Sequence, residues 1–296
     1  MTNKHLLGRG EQTTGHVISS DGTIIGYRRL GQGPGVVMLH GSMESSKSHL
    51  HLAGALADLF TVYLPDRRGR GLSGPCGPDD GMRRELEDLT ALMDATDTHN
   101  IFGVSASGLV ALEAARTMPD VHKVAVYEPA LLLEDSKQTH WLPRYDKEMA
   151  EGKVAAAMVT SMKGLALGSP ILNVMPRSLL AALTNLALKS EDKKAVPGDV
   201  TMRVLAKTLH QEGLLIAEMT GTLDSFSTVP AQVLLLGGSK GLPYLKPSLA
   251  ALERVLPHAR RVEFPGLDHG GSSDVSNINK GGRPDVVAPE LRRFFS

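Results

Sequence analysis

Short runs of β-branched and aliphatic residues alternate with helix-length segments along much of this chain. Gly35 to Leu39 (GVVML), Phe60 to Leu64, Asn100 to Val104, Lys123 to Tyr127, Gln232 to Leu236 and Arg260 to Phe264 each read as a buried strand. His16 to Ser19 and Thr23 to Arg29 flank Asp21-Gly22, a pair suited to a hairpin turn. Met82 to Met93, Ala106 to Thr117 and Val286 to Phe295 read as helices. The alternation predicts an α/β fold, with a mostly parallel sheet covered by helices on both faces.

Between Tyr127 and Gln232 the alternation stops. From about Leu131 to Phe226 only helices are expected: Asp146 to Gly164, Arg177 to Lys189 and Val200 to Thr222. So long a stretch inside a compact domain is not a bare loop. It predicts an all-helical cap domain, 131–228, inserted in a core domain made of 1–130 and 229–296. Gly164, Gly168 and Pro170 interrupt the cap helices and are candidate hinges.

Composition changes this picture little. Of 296 residues, 42% are apolar and 22% charged, as in ordinary globular proteins. A formal net charge of zero carries no nucleic-acid footprint and no polybasic membrane anchor. Cys76 is the only cysteine, so no internal disulfide can form. Met1 to Gly15 is polar and lacks the apolar stretch of a signal peptide. No apolar run approaches the roughly 20 residues of a membrane helix. The expectation is a cytoplasmic protein, monomer or homodimer, with no nucleic-acid or membrane partner.

The strongest local signal is Ile101-Phe102-Gly103-Val104-Ser105-Ala106-Ser107-Gly108. An apolar strand ends, one serine follows, and a helix begins without a loop. So tight a turn strains the serine backbone and admits only small neighbours, here Gly103, Ser107 and Gly108. It presents Ser105 as a nucleophile at a helix N-terminus, where developing negative charge is stabilised. His40-Gly41-Ser42-Met43 follows the GVVML strand directly. The amides of Ser42 and Ala106 could together receive an oxyanion. The charged loop Asp66-Arg67-Arg68-Gly69-Arg70 is expected to brace itself by local hydrogen bonds and ion pairs rather than to bind a substrate anion. His269, in Phe264-Pro265-Gly266-Leu267-Asp268-His269-Gly270-Gly271, follows the last strand and can supply the base that a serine hydroxyl needs.

In order and spacing, HGS, DRRGRGLS, GVSASG and FPGLDHGG resemble the α/β-hydrolase superfamily, in its serine-nucleophile branch with a helical cap. The resemblance covers nearly the whole chain except the cap. It implies an eight-stranded sheet, a pocket between sheet and cap, and a Ser–acid–His set of catalytic residues. Ser107 replaces the commoner glycine, a tolerable change because it is small. The acid of such proteins usually follows the next-to-last strand, but here Gly237-Gly238-Ser239-Lys240-Gly241 contains no carboxylate. Glu128, at the end of the strand KVAVY, is the best substitute. Certain haloalkane dehalogenases and the resorcylic-lactone hydrolases take their acid from that place. Asp268, adjacent to the histidine, is the main rival, and Asp224 is more remote.

The cap carries Met149, Met158, Met162, Met175, Met202 and Met219, together with Trp141 and Tyr145. Most of these are expected to be packing, but some must face the sheet and roof Ser105. Methionine and leucine walls suit apolar ligands. The expected activity is hydrolysis of an ester, lactone or related acyl bond of a hydrophobic small molecule through an acyl-enzyme, with no cofactor and no metal. Carbon–carbon bond hydrolysis, acyl transfer and a receptor of the same fold that does not turn over its ligand stay open as alternatives.

Overall fold

The structure, a computed structural model, describes residues 12–77, 80–134, 140–167, 172, 174–196, 198–276 and 279–296. Eight strands form one sheet: β1 (Thr13–Ile18), β2 (Ile24–Leu30), β3 (Gly35–Leu39), β4 (Thr61–Pro65), β5 (Asn100–Val104), β6 (Lys123–Tyr127), β7 (Gln232–Gly238) and β8 (Ala259–Phe264). Their spatial order is β1-β2-β4-β3-β5-β6-β7-β8. β2 runs antiparallel to both β1 and β4, and the pairings from β4 to β8 are parallel.

Side chains of the central strands alternate between two apolar layers, as a doubly covered sheet requires. Val37, Ile101, Val124, Val126, Val233 and Leu235 enter one layer. It is completed by α2 (Met82–Thr96), α3 (Ala106–Thr117) and the helix Lys246–Val255. Val36, Met38, Phe102, Ala125, Leu234 and Leu236 enter the other layer, against α1 (Leu50–Gly54) and the C-terminal helix Pro284–Phe295.

The strands and core helices lie where the residue pattern predicts, with ends shifted by a few residues. The helical insertion between β6 and β7 differs in detail. One helix is expected over Asp146 to Gly164, but two are present, α4 (Leu142–Ala150) and α5 (Val154–Gly164). The break is at Gly152, whose φ of 71° no helix residue adopts. After α6 (Arg177–Asp192), the segment expected as one helix over Val200 to Thr222 is again divided, into α7 (Met202–Ala206) and α8 (Leu209–Met219). Here the buried Thr208 hydroxyl donates to the Leu205 carbonyl, giving the backbone a local alternative to the helical ladder. The pattern also leaves unread α1 and the helix Lys246–Val255, which becomes α9 in chain order; the C-terminal helix is then α10.

Of the candidate hinges, Gly164 is the last residue of α5, pressed against Trp141; Gly168 and Pro170 lie outside the described residues. Trp141, Tyr145, Ala157 and Leu209 form a small apolar cluster of the insertion's own. Leu215, Ile216 and Met219 of α8 join the main core instead. Among the described residues, no helix is long and apolar enough to cross a membrane.

Candidate active site

β5 is the strand that places Ser105. Its last residue, Val104, is followed by Ser105 at φ 56° and ψ −120°, and α3 starts at Ala106. A non-glycine residue with positive φ is strained and persists only where its surroundings enforce it. The Ser105 N–H donates to the Tyr127 carbonyl at 3.0 Å, and the Ser105 carbonyl accepts from the Ala130 N–H at 3.0 Å. The need for small neighbours is visible directly. A Cβ on Gly103 would stand 2.5 Å from the Ser107 carbonyl oxygen, and one on Gly108 3.0 Å from Pro129. Ser107 is more than a tolerated replacement. Its buried hydroxyl lies 2.9 Å from the Leu39 carbonyl oxygen and accepts from the Val104 N–H at 3.1 Å, tying β3 to the turn.

His269 reaches Ser105 from the loop after β8. Its Nε2 is 3.1 Å from Ser105 Oγ and its Nδ1 is 2.8 Å from Glu128 Oε2. The carboxylate accepts, so Nδ1 carries the proton and Nε2 is left to accept from the serine hydroxyl. The loop is held from below by the buried Tyr127, whose hydroxyl donates to the Asp268 carbonyl at 2.7 Å.

Glu128 stands one residue beyond β6 at φ 43°, a second strained position. Its side chain is buried, which alone would raise its pKa. The hydrogen bond and charge of His269, with the amides of Gly238 at 3.0 Å and Leu242 at 3.4 Å, hold it below the ordinary value instead. The carboxyl therefore occupies the very loop after β7 that lacks an acid of its own. The Asp268 side chain is turned elsewhere, accepting from the Gly270 N–H at 3.0 Å in an exposed position. Asp224 is exposed in the turn Leu223–Thr228.

Ser105 opens on a cavity of about 310 Å³. Met158, Met162 and Met202 of the insertion line it, as does Leu209 of α8. Ser42 is on its wall, and Ala106 is the first residue of α3, where backbone N–H groups have no intrahelical partner. The Gly41 N–H is already taken, donating to Glu44 Oε2 at 2.8 Å. Met149 packs on the Trp141 cluster and Met219 in the main core.

His40 does not face the serine. Its Nδ1 is 2.9 Å from the Gly41 carbonyl oxygen and its Nε2 accepts from the Arg67 N–H at 3.2 Å. These partners fix it as neutral. Burial, with the charges of Arg70 and Arg67, holds its pKa well below the usual histidine value. The arginines of the loop brace structure, as expected, but through carboxylate partners 18 to 145 positions away rather than local ones. Arg68 meets Asp88 and Asp21. Arg67 grips Glu85 and Glu212, and Arg70 also reaches Glu212. Glu212 lies on α8, so this buried cluster fastens the insertion to the sheet. Sequence reasoning missed Glu212, because one glutamate on an apolar helix gives no sign of partners some 140 positions earlier. Among the described residues, no group of three His, Cys, Asp or Glu side chains could hold a metal ion.

Comparison with known proteins agrees with this architecture. The model of the alpha/beta hydrolase family matches residues 36–289. A cis-3-alkyl-4-alkyloxetan-2-one decarboxylase of Shewanella oneidensis is 26% identical over 297 residues, covering 95% of this chain and 88% of that one. A pimeloyl-[acyl-carrier protein] methyl ester esterase of Xanthomonas campestris is 25% identical over 269 residues, covering 90% and 97%. Among solved structures, an alpha/beta hydrolase of Sphaerobacter thermophilus superposes with a TM-score of 0.73 at 29% identity, covering 95% of this chain and all of that one. With a family match spanning most of its length and the eight-stranded sheet that positions Ser105, the chain belongs to the alpha/beta hydrolase family and is a hydrolase.

Proposed function

We propose that the protein hydrolyses an ester or lactone of a hydrophobic small molecule, with Ser105 as nucleophile, His269 as general base and Glu128 as the acid behind it. The observation that carries this reading is the unbroken relay from Glu128 Oε2 through His269 to Ser105 Oγ, with contacts of 2.8 and 3.1 Å, opening on an apolar cavity. The contact to Ser105 is within reach for proton transfer, and that to Glu128 orients the imidazole.

In the first step Ser105 Oγ bonds to the substrate carbonyl carbon while its proton passes to His269 Nε2. The carbonyl oxygen becomes an oxyanion, received by the amides of Ser42 and Ala106 at the positive end of α3. Glu128 stabilises the imidazolium without taking its proton. Collapse breaks the bond to the leaving oxygen, which takes the proton from Nε2. Water then gives its proton to His269 and attacks the acyl carbon, and the acid product leaves with Ser105 restored. A serine at this turn favours an acyl-enzyme, since its hydroxyl is activated by the adjacent base. The insertion, as a cap, supplies the methionine wall that receives the apolar part of the substrate. The methyl ester esterase among the relatives is consistent with an ester substrate, and the oxetan-2-one decarboxylase with a site that accepts a lactone.

The test is a series of p-nitrophenyl esters of increasing acyl length, assayed with the wild type and Ser105→Ala. Steady turnover that Ser105→Ala abolishes supports the reading. A single burst followed by negligible turnover points instead to a receptor, and turnover that survives the substitution rejects Ser105.

A further inference from the structure

The cavity carries one carboxylate that the proposed mechanism does not use. Glu44 lies three residues beyond Gly41 and lines the same cavity as Ser105. A point one bond out from the Gly41 Cα is 3.1 Å from Glu44 Oε2 and 3.6 Å from the Ser105 Cβ, so the two side chains flank this glycine. Glu44 is fixed at both oxygens. Oε2 accepts from the Gly41 N–H at 2.8 Å, and Oε1 accepts from the Ser273 hydroxyl at 2.5 Å. Ser273 itself lies in the loop that carries His269 and is buried.

What Glu44 lacks is a close cation. No Lys or Arg side chain among the described residues forms an ion pair with it. The nearest basic atom recorded is His49 Nδ1 at 3.9 Å, and that atom makes no hydrogen bond. Arg70 comes near only at the Glu44 carbonyl oxygen, and its guanidinium is bound to Glu212. The hydrogen bonds orient the carboxylate on the wall of a cavity whose lining is mostly apolar, with Ser42, Ser161, Thr184 and His269 also on that wall. A charge in such surroundings is weakly screened and acts strongly on any second charge brought beside it.

We propose that Glu44 selects substrates by charge: it favours an acyl substrate bearing an ammonium group near the scissile bond and rejects one bearing a carboxylate or phosphate there. The attraction and the penalty act at the same point, so discrimination between the two is larger than either effect alone. The proposal rests on the ester-hydrolase reading.

Three phenyl esters of matched acyl length test it, ending in a methyl, a trimethylammonium and a carboxylate group. The quantity read is the ratio of kcat/KM for the cationic ester to that for the anionic one. The wild-type ratio should exceed about tenfold, and should fall towards one in both Glu44→Gln and Glu44→Ala. A purely structural role of Glu44 in bracing Gly41 would slow all three esters alike and leave the ratio where it was. That result, or a wild-type preference for the anionic ester, overturns the proposal. The hydrolase reading is judged separately by Ser105→Ala. If it abolishes all three turnovers, that reading stands whichever way the ratio falls. Absence of wild-type turnover, or turnover that survives in Ser105→Ala, removes both.

Discussion

Gly241 is where the carboxyl group of Glu128 is housed. A Cβ on Gly241 would overlap Glu128 Oε1, and one on Gly237 would touch the Glu128 Cγ at 3.4 Å. The loop after β7 has thus no acid of its own and no side chain where the acid of β6 must enter. It closes on that carboxyl with two amides. The acid thereby reaches His269 from the neighbouring strand with its charge stabilised by backbone donors.

Gly241→Ala should therefore damage turnover although residue 241 touches neither the serine nor the histidine. Displacing the carboxyl by about 1 Å is expected to lower kcat by about 100-fold, with much less change in KM. Steady-state kinetics of this variant on a p-nitrophenyl ester checks it, and wild-type kcat would mean the carboxyl has room to spare.

Glu128→Ala should leave a folded protein whose kcat is reduced by about 10³- to 10⁴-fold, the loss expected when the imidazole is no longer oriented. Asp268→Ala should be far milder, because that side chain accepts from Gly270 and turns away from the imidazole. Circular dichroism confirms folding, and kinetics rank the two; the reverse ranking would reassign the acid.

Much of this was legible in the chain. The strand-serine-helix junction and the small residues around it follow from hard sterics, and the serine, the histidine and Glu128 stand together as their places on the sheet predict. The helices of the insertion were readable as helices but not as separate ones. Gly152 and Thr208 break them through local conformation, which an apolar period does not register. Glu212 and Tyr127 gave no local signal, since each acquires its partner across a long sequence separation, and Glu44 joins a local partner, Gly41, to a remote one, Ser273. The Gly-rich loop after β7 did hold a hint: so many small residues leave room for a side chain from elsewhere.

The Glu212 cluster should matter for stability. Its side chain and those of Arg67 and Arg70 are buried. Glu212→Ala would leave two buried guanidinium groups short of a partner. The expected cost is about 3–5 kcal/mol, read from urea unfolding. A change below about 1 kcal/mol would show that the insertion is held by its apolar contacts alone.

Acid should reveal the same cluster. Burial by itself raises the pKa of Glu212, but Arg67 and Arg70 bring it below its ordinary 4.5, and Glu128 is likewise lowered. A carboxyl depressed in the folded state contributes stability that is complete above the unfolded pKa and lost as pH falls through the folded one. Thermal midpoints should hold steady down to about pH 5 and then decline. In Glu212→Gln that decline should be shallower, and an identical acid limb in both proteins would contradict it.

The most direct test of the account is covalent labelling with a serine-reactive fluorophosphonate, read by intact mass and peptide mapping. One adduct is predicted, on Ser105, absent in Ser105→Ala and formed far more slowly in Glu128→Ala. An adduct on another residue, or equal labelling of Ser105 without Glu128, would contradict the relay on which the proposed chemistry depends.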